Sequence, residues 1–387
     1  MGGGLLIHPN AEVVLENVVV SGNHVTCGGG GGIANFGKLG IVNSSIDNNY
    51  TGPGTRGSYS QPIRIATQAG PGATPSYSRY GIANGGGIYN AGELYAVNSS
   101  ITNNRSGNNG GGIFNEGSAA LAFLNNVTLQ GNEAAGIAKF IVTDAGSTTE
   151  KYRPLGVGGA VLNTNGAEIV ILHSTIYQNK AYYNAGLSNG AVPTFGYPVD
   201  NRMSAGALFK IGNSIVAENT IESLSLGGTL TTPAGGEPGV AFPIADTTSN
   251  CWAMDGDSNK IKSLLNNVFD NEGPPATGRS TNDCANALSY PFGAGGSSFD
   301  SFNTTGGTPV GITGVMTDEG TSTSCRLDSA AASRARDAYQ TPVARRWLSY
   351  VPATPFDQRG FVRITGAHEA DLGAREEGAN VPYQLST

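Results

Sequence analysis

Charged residues are scarce in this chain of 387 residues. They make up 13% of it and sum to a net charge of −7 at pH 7, whereas an average protein carries about 25% charged residues. A protein that binds nucleic acid normally has a clustered basic face and a high isoelectric point, but the isoelectric point here is near 5.2. We therefore predict no nucleic-acid partner.

Long apolar runs are absent as well. A membrane-spanning helix needs about 18 or more consecutive apolar residues, and the sequence contains no such run, so we predict no membrane span. Residues 1–9 lack the basic start and apolar stretch of a signal peptide. Because residues 2–23 already belong to the repeat described below, we expect any export signal or upstream cap to precede Met1.

Cysteine is rare, with four residues at positions 27, 251, 284 and 325. They show neither a CxxC motif nor the Cys/His spacing of a zinc site. Cys251 and Cys284 could form a disulfide, which would suit an exported protein, or could both remain thiols. Asp255 and Asp257 form a short acidic run like part of a calcium loop, although a plain turn explains them as well. We predict no metal site and no cofactor.

Glycine, in contrast, is plentiful, and two short phrases recur. A phrase of seven residues that ends in Asn occurs six times, at 17–23, 43–49, 98–104, 126–132, 173–179 and 213–219. A second phrase, Gly-Gly-Gly-Ile-x-Asn, occurs at 30–35, 85–90 and 110–115, and in a weaker form at 158–163. The tightest step, 25 residues from Ile88 to Ile113, fits one coil of a β-helix better than a propeller blade of about 40 residues. We therefore predict an all-β fold, a right-handed single-stranded parallel β-helix.

Stacking of the coils predicts ladders of equivalent residues about 4.8 Å apart. The fourth residue of the seven-residue phrase is always aliphatic and should face the core; these residues are Val20, Ile46, Ile101, Leu129, Ile176 and Val216. The terminal residue should form an asparagine ladder at a corner of the coil, where Asn also tolerates the left-handed conformation. The members of this ladder are Asn23, Asn49, Asn104, Asn132, Asn179 and Asn219.

Three long connectors interrupt the repeat, at 50–84, 133–157 and 180–206. We predict that residues 1–220 form β-helix coils carrying these insertions, and that residues 221–387 form later, loop-rich coils and a closing segment of the same solenoid. All three insertions enter the coil at the same point, so we expect them side by side on one edge, as binding loops of repeat proteins commonly are.

The insertions concentrate aromatic and charged residues, which suits a groove that stacks on sugar rings and binds their hydroxyl or carboxylate groups. The predicted substrate-binding residues are Tyr59, Tyr77, Arg79, Tyr80, Tyr152, Tyr182, Tyr183, Tyr197 and Arg202. Alternatively, these aromatic residues pack the loops onto the wall of the helix.

The second insertion also contains a candidate catalytic cluster. Lys151 and Arg153 could supply the base and the cation of a polysaccharide lyase. Asp144, Glu150 and Asp200 could supply the paired carboxylates of a glycoside hydrolase.

Several motifs resemble a known group. The phrases IYNAGELYAVNSSITNN and NSIVAENT, and the later SRARDA (333–338), DQRG (357–360) and DLGARE (371–376), are similar to those of bacterial β-helix proteins with polymorphic outer-membrane-protein-type repeats, often called choice-of-anchor Q domain proteins. Arg375 stands where that group has an aromatic residue, and residues 221–323 match its pattern poorly. The resemblance implies an exported or surface-associated bacterial β-helix, but no single reaction.

We therefore expect an extracellular or cell-surface protein that recognises a polysaccharide or other glycan through its insertions. The alternatives are a polysaccharide lyase or glycoside hydrolase that uses the same groove, and a non-catalytic adhesin or structural surface protein. The first coil also offers open strand edges, through which copies of the chain could self-associate.

Overall fold

The computed structural model describes residues 1–52, 64–68, 76–79, 83–144, 147–154, 156–182, 184–190, 208–221, 247–253, 261–264, 267–272, 284, 288–289, 301–304, 312–318 and 323–327. The strands in these ranges are β1 (Leu5–Ile7), β2 (Glu12–Glu16), β3 (Val19–Ser21), β4 (His24–Val25), β5 (Ile33–Asn35), β6 (Lys38–Val42), β7 (Ser45–Asp47), β8 (Tyr50–Thr51), β9 (Arg64–Gln68), β10 (Ser76–Arg79), β11 (Ile88–Asn90), β12 (Glu93–Thr102), β13 (Arg105–Ser106), β14 (Ile113–Glu116), β15 (Leu121–Gln130), β16 (Glu133–Ala134), β17 (Ile137–Asp144), β18 (Ser147–Pro154), β19 (Val161–Thr164), β20 (Glu168–Leu172), β21 (Thr175–Tyr177), β22 (Lys180–Ala181), β23 (Leu187–Asn189), β24 (Leu208–Gly212), β25 (Ile215–Ala217), β26 (Thr220–Ile221), β27 (Thr247–Thr248), β28 (Cys251–Ala253), β29 (Ile261–Ser263), β30 (Val268–Glu272), β31 (Leu288–Ser289), β32 (Ser301–Thr304), β33 (Ile312–Asp318) and β34 (Thr323–Leu327).

Three long sheets run along the molecule, and the predicted parallel β-helix architecture is confirmed. Sheet 1 has the order β1-β5-β11-β14-β19-β23-β28, and sheet 3 has the order β4-β8-β13-β16-β22-β26-β27. Sheet 2 holds fourteen strands from β2 to β32. Within these three sheets, all pairs of described strands are parallel except β26 with β27 at the end of sheet 3. Each coil passes in turn through sheet 1, sheet 2 and sheet 3.

The aliphatic row of the seven-residue phrase forms the core of sheet 2. Its register pairs Val20 with Ile46 and Ile46 with Ile101, and continues in the same way through the later coils to Val216. From Ile46 to Val216 every member of the row is fully buried, and Val20, in the first coil, is partly buried. The predicted inward row is therefore confirmed.

The corners of the coil are held by asparagine. The predicted ladder exists: each terminal Asn donates from Nδ2 to Oδ1 of the next member, at 2.8 to 3.0 Å from Asn23 to Asn219. A second ladder, in which Asn35, Asn90, Asn115, Asn163 and Asn189 are linked in the same way at 2.7 to 3.0 Å, follows the strands of sheet 1.

The left-handed backbone, however, lies elsewhere than predicted. It occurs at the first residue of the seven-residue phrase, including Asn43 and His173 (φ 47° for both), and at the residue before the terminal Asn, such as Asn103 (φ 53°). The terminal residues themselves are not in this conformation. His173 replaces Asn at such a bend and is buried.

The glycine phrase brings backbone against backbone between coils. An ideal Cβ on Gly111 would lie 2.5 Å from the carbonyl oxygen of Gly159 and 2.5 Å from the carbonyl carbon of Glu133. Gly86 is equally close to the neighbouring coil, since an ideal Cβ on it would lie 2.5 Å from the carbonyl oxygen of Gly111. The repeated glycine is therefore required by close approach.

The third long connector differs from the other two. Leu187 to Asn189 form β23 in sheet 1, in register with Val161 to Asn163, so the coil continues through a stretch that the sequence assigned to an insertion. The additional residues of this connector come after residue 190, between sheet 1 and sheet 2. Only the first two insertions leave the coil at the same point, between sheet 3 and sheet 1.

In the later part of the chain, some described strands extend the sheets of the coils and others form a separate hairpin. β28 to β32 extend sheets 1 and 2 in parallel, whereas β33 and β34 form an antiparallel hairpin whose second strand lies against β12 and β15. The Cys251–Cys284 disulfide is present, and both residues belong to the buried core. Of the two possibilities that the sequence allowed for these cysteines, the structure has the disulfide, which joins two segments of the core.

Candidate ligand-binding surface

The first two insertions leave the β-helix from neighbouring positions of sheet 3. The first leaves after Thr51 at the end of β8, and the second after Ala134 at the end of β16. Only β13 lies between β8 and β16 in this sheet, so the two exits are about 10 Å apart. The predicted proximity is therefore confirmed for these two insertions.

The stems of both insertions are fixed by the corner between them. The carbonyl oxygen of Ala83, where the first insertion returns, accepts hydrogen bonds from Thr51 Oγ1 at 3.0 Å and from Ser106 Oγ at 2.7 Å. The second insertion returns through Val157, whose backbone N–H donates to Asn109 Oδ1 at 3.1 Å. Both insertions therefore have a hydrogen-bonded stem.

Beyond these stems the insertions join in one sheet. It has the order β10-β9-β17-β18 and is named here the insertion sheet. β9 and β10 from the first insertion pair antiparallel, as do β17 and β18 from the second. β9 and β17 pair parallel, with Arg64 opposite Ala138 and Ala66 opposite Phe140. This pair makes one continuous surface from segments of two different coils.

The register of the insertion sheet determines which residues share a face, because directly paired residues lie on the same side and alternate residues along a strand share a face. On one side, named here the basic face, the first row reads Arg79, Arg64, Ala138, Arg153 and the second reads Tyr77, Ala66, Phe140, Lys151. On the opposite side the rows read Ser78, Ile65, Lys139, Tyr152 and Ser76, Thr67, Ile141, Glu150.

Several of the predicted site residues meet in this sheet. Tyr77 and Arg79 lie on β10, Asp144 ends β17, and the remaining members lie on β18, namely Glu150, Lys151, Tyr152 and Arg153. Lys151 and Arg153 share the basic face, as alternation predicts, whereas Glu150 and Tyr152 fall on the other side. The other predicted positions lie outside the described residues: Tyr59, Tyr80, Tyr183, Tyr197, Asp200, Arg202, Asp255 and Asp257.

Tyr182 does not belong to this surface. It is 4% exposed and packs in a cluster with Tyr89, Phe114 and Leu162 on the outer side of sheet 1. The rings of Tyr89 and Phe114 stack with centroids 5.6 Å apart. Tyr182 therefore packs a connector onto the wall of the β-helix, as the alternative interpretation of the aromatic residues predicts.

A row of ionisable residues in sheet 3 was not predicted. Along this row His24 pairs with Tyr50, Tyr50 with Arg105, Arg105 with Glu133, and Glu133 with Lys180. The His24 and Tyr50 rings stack at 4.8 Å, and the Arg105 guanidinium lies 5.8 Å from the centre of the Tyr50 ring. Each strand of this sheet has only two residues, too few for a periodic signal in the sequence.

The middle of this row is buried and its ends are exposed. Tyr50 and Arg105 are each 6% exposed, whereas His24 and Lys180 are open to solvent. Burial raises the pKa of the Tyr50 phenol, the positive charge of Arg105 partly opposes this, and the negative charge of Glu133 adds to it. Little of Tyr50 or Arg105 is therefore accessible to a ligand.

We expect Glu133→Gln to destabilise the protein by about 2 kcal/mol, because Arg105 Nε and Glu133 Oε2 form an ion pair at 3.2 Å between side chains that are 7% and 18% exposed, and removing one charge leaves the other buried. Urea unfolding would measure the change. Glu93→Gln is the matched control, since its ion pair with Lys38, at 3.4 Å, lies on the surface and such pairs contribute little. Equal effects of the two substitutions would contradict this role for Glu133.

No helix in the described residues is long and apolar enough to cross a membrane. Within the same ranges, no group of three or more His, Cys, Asp or Glu residues could hold a metal ion.

The chain was also compared with known proteins. Neither protein-family models, nor curated proteins, nor solved structures gave a match.

Proposed function

We propose that this chain is an exported or surface-associated protein that recognises a polysaccharide on the insertion sheet. The observation that carries the proposal is the parallel pairing of β9 with β17, because it joins two insertions into one continuous surface. A surface four strands wide spans about 14 Å, which suits an extended chain ligand better than a small molecule held in a cavity.

The residues of this sheet have the chemistry that a sugar chain requires. Tyr77 and Phe140 occupy one row of register, separated only by Ala66. Aromatic rings offer flat apolar faces against which the apolar faces of sugar rings can pack. Arg79 and Arg153, in the adjacent row, offer planar donor groups for hydroxyl or acidic groups.

The disulfide supports the exported location. Disulfides persist in oxidising compartments and are rare in reducing ones, and the Cys251–Cys284 bridge lies in the core, where it joins two segments of the coils. The proposed bacterial surface location rests on this bridge together with the motifs described above.

Affinity electrophoresis on pectin, alginate, glycosaminoglycans, xylan and cellulose tests the proposal. We expect at least one polysaccharide to retain the protein, and we expect Tyr77→Ala to weaken the retention about tenfold, because a stacking platform is lost. Tyr95→Ala is the matched control, since Tyr95 is an exposed tyrosine on sheet 2. Lack of retention on every polysaccharide would overturn the proposal, and so would equal losses in the two variants.

The same samples can be followed at 235 nm for unsaturated uronates and assayed for released reducing ends. Product that disappears in Lys151→Ala would identify a lyase that uses the same surface.

A further inference from the structure

The insertion sheet concentrates positive charge in a chain that is acidic overall. The chain has 22 Lys and Arg residues against 29 Asp and Glu residues, yet the first two rows of the basic face hold four basic positions and no acidic one. These four are Arg64, Arg79, Lys151 and Arg153. We propose that this face binds an acidic polysaccharide, one that bears carboxylate or sulfate groups; the inference rests on the proposed function and specifies its ligand.

The spacing of the four positions is set by the backbone. Arg79 and Arg64 are directly paired on neighbouring strands, about 4.8 Å apart, and Arg153 lies two strands further along the same row, about 10 Å from Arg64. Lys151 is two residues from Arg153, about 7 Å along the strand. The four basic positions therefore form an elongated array across the sheet, which suits a polymer with repeated acidic groups.

The acidic residues of this sheet lie away from the patch. Asp144 shares the basic face, but it is four residues along β17 from Phe140 in the second row, a separation of about 13 Å, and farther from the first row. Glu150 is on the opposite side, in the row of Ile141. Neither carboxylate is therefore at a register position next to the four cations.

Arg64 and Arg79 occupy directly paired register positions on neighbouring strands. An arginine guanidinium binds carboxylate or sulfate with two parallel hydrogen bonds. Two arginine positions side by side therefore suit neighbouring acidic groups of one polymer better than a neutral sugar.

The second row adds a stacking platform beside the cations. It runs Tyr77, Ala66, Phe140 and Lys151 across the four strands. Acidic groups and ring faces of one sugar chain could therefore bind in adjacent rows. An acidic polysaccharide uses both rows, whereas a simple anion such as phosphate uses only the first.

The test compares acidic polysaccharides with their neutral derivatives, using polygalacturonate and hyaluronan, each beside its methyl ester. We expect affinity electrophoresis to show retention by at least one acidic polymer and at least about tenfold less by its ester. Retention should also fall when NaCl is raised from about 0.05 M to about 0.5 M, because salt screens the attraction. These readouts use the unaltered protein, so they do not depend on whether a variant folds.

Arg64→Gln and Arg153→Gln should each weaken the retention about tenfold. Lys139→Gln is the matched control, because it removes the same charge from the opposite face of β17. Equal losses in all three variants would show a net-charge effect and overturn the assignment of the face. Equal retention by acid and ester, or retention by xylan alone, would overturn the acidic ligand but leave the proposed function intact. Lack of retention on every polymer would overturn both.

Discussion

Asn104→Ala is expected to lower the free energy of unfolding by about 4 kcal/mol, because Asn104 lies in the middle of the corner ladder and is fully buried. Its Oδ1 accepts from the backbone N–H and from Nδ2 of Asn49, both at 3.0 Å. Its Nδ2 donates to the carbonyl oxygen of Ile46 at 2.8 Å and to Asn132 Oδ1 at 3.0 Å. Alanine removes all four bonds, and each buried group left without a partner costs about 1–3 kcal/mol. Urea unfolding followed by circular dichroism measures the loss.

The end of the same ladder supplies the control. Asn23 is only partly buried, and its Nδ2 donates to Asn49 Oδ1 and to the carbonyl oxygen of Ser21. After Asn23→Ala, Asn49 Oδ1 still accepts from the backbone N–H of residue 23, so we expect a loss below about 1 kcal/mol. If the two substitutions cost the same, the interior of the ladder contributes no more than its end.

Gly111→Ala is the second large effect, and we expect a loss of more than about 3 kcal/mol, at the upper end of overpacking costs. The new Cβ would lie within 2.5 Å of two backbone atoms, one in Glu133 and one in Gly159. Backbone cannot rotate away as a flexible side chain can, so the coils on both sides must separate. The melting temperature and the urea midpoint should both fall.

Gly40→Ala also adds one methyl group, but at this position no backbone atom lies close to the new Cβ. Gly40 lies on β6, and a Cβ there would contact Val14 at 3.4 Å, an ordinary van der Waals distance. Alanine also restricts the unfolded chain more than glycine does. We expect stability to stay unchanged or to rise by about 0.5 kcal/mol. A loss at position 40 as large as that at position 111 would show that composition, rather than close approach, explains the glycine phrase.

Most of the coil architecture could be predicted from the sequence, because stacking repeats the same local environment at each step. The rows through Ile101 and Asn104 were predictable for this reason. The third sheet was not, since its two-residue strands carry no alternation. The strand at Leu187 was missed because Asn184-Ala185-Gly186 replaces the glycine triplet, although Leu-Ser-Asn at 187–189 matches the Ile-x-Asn pattern of the other coils.

The candidate site was predictable only in part. Alternation within one segment predicted that Lys151 and Arg153 share a face, because that relation is local. Their neighbours Arg64 and Arg79 come from an insertion more than seventy residues earlier, and their register depends on the pairing of β9 with β17. The burial of Tyr182 likewise depends on Tyr89 and Phe114, which come from other coils.

The β9–β17 pair also changes how the solenoid can come apart. In a simple stack each coil is held only by its two neighbours, so unfolding spreads inward from the ends one coil at a time. Here the insertions that leave after Thr51 and Ala134 are joined across the coil that begins at Ile88. Opening of that coil alone would have to disrupt the pairing of β9 with β17 as well. We therefore expect these three coils to unfold as one cooperative block, and fraying from either end to slow when it reaches them.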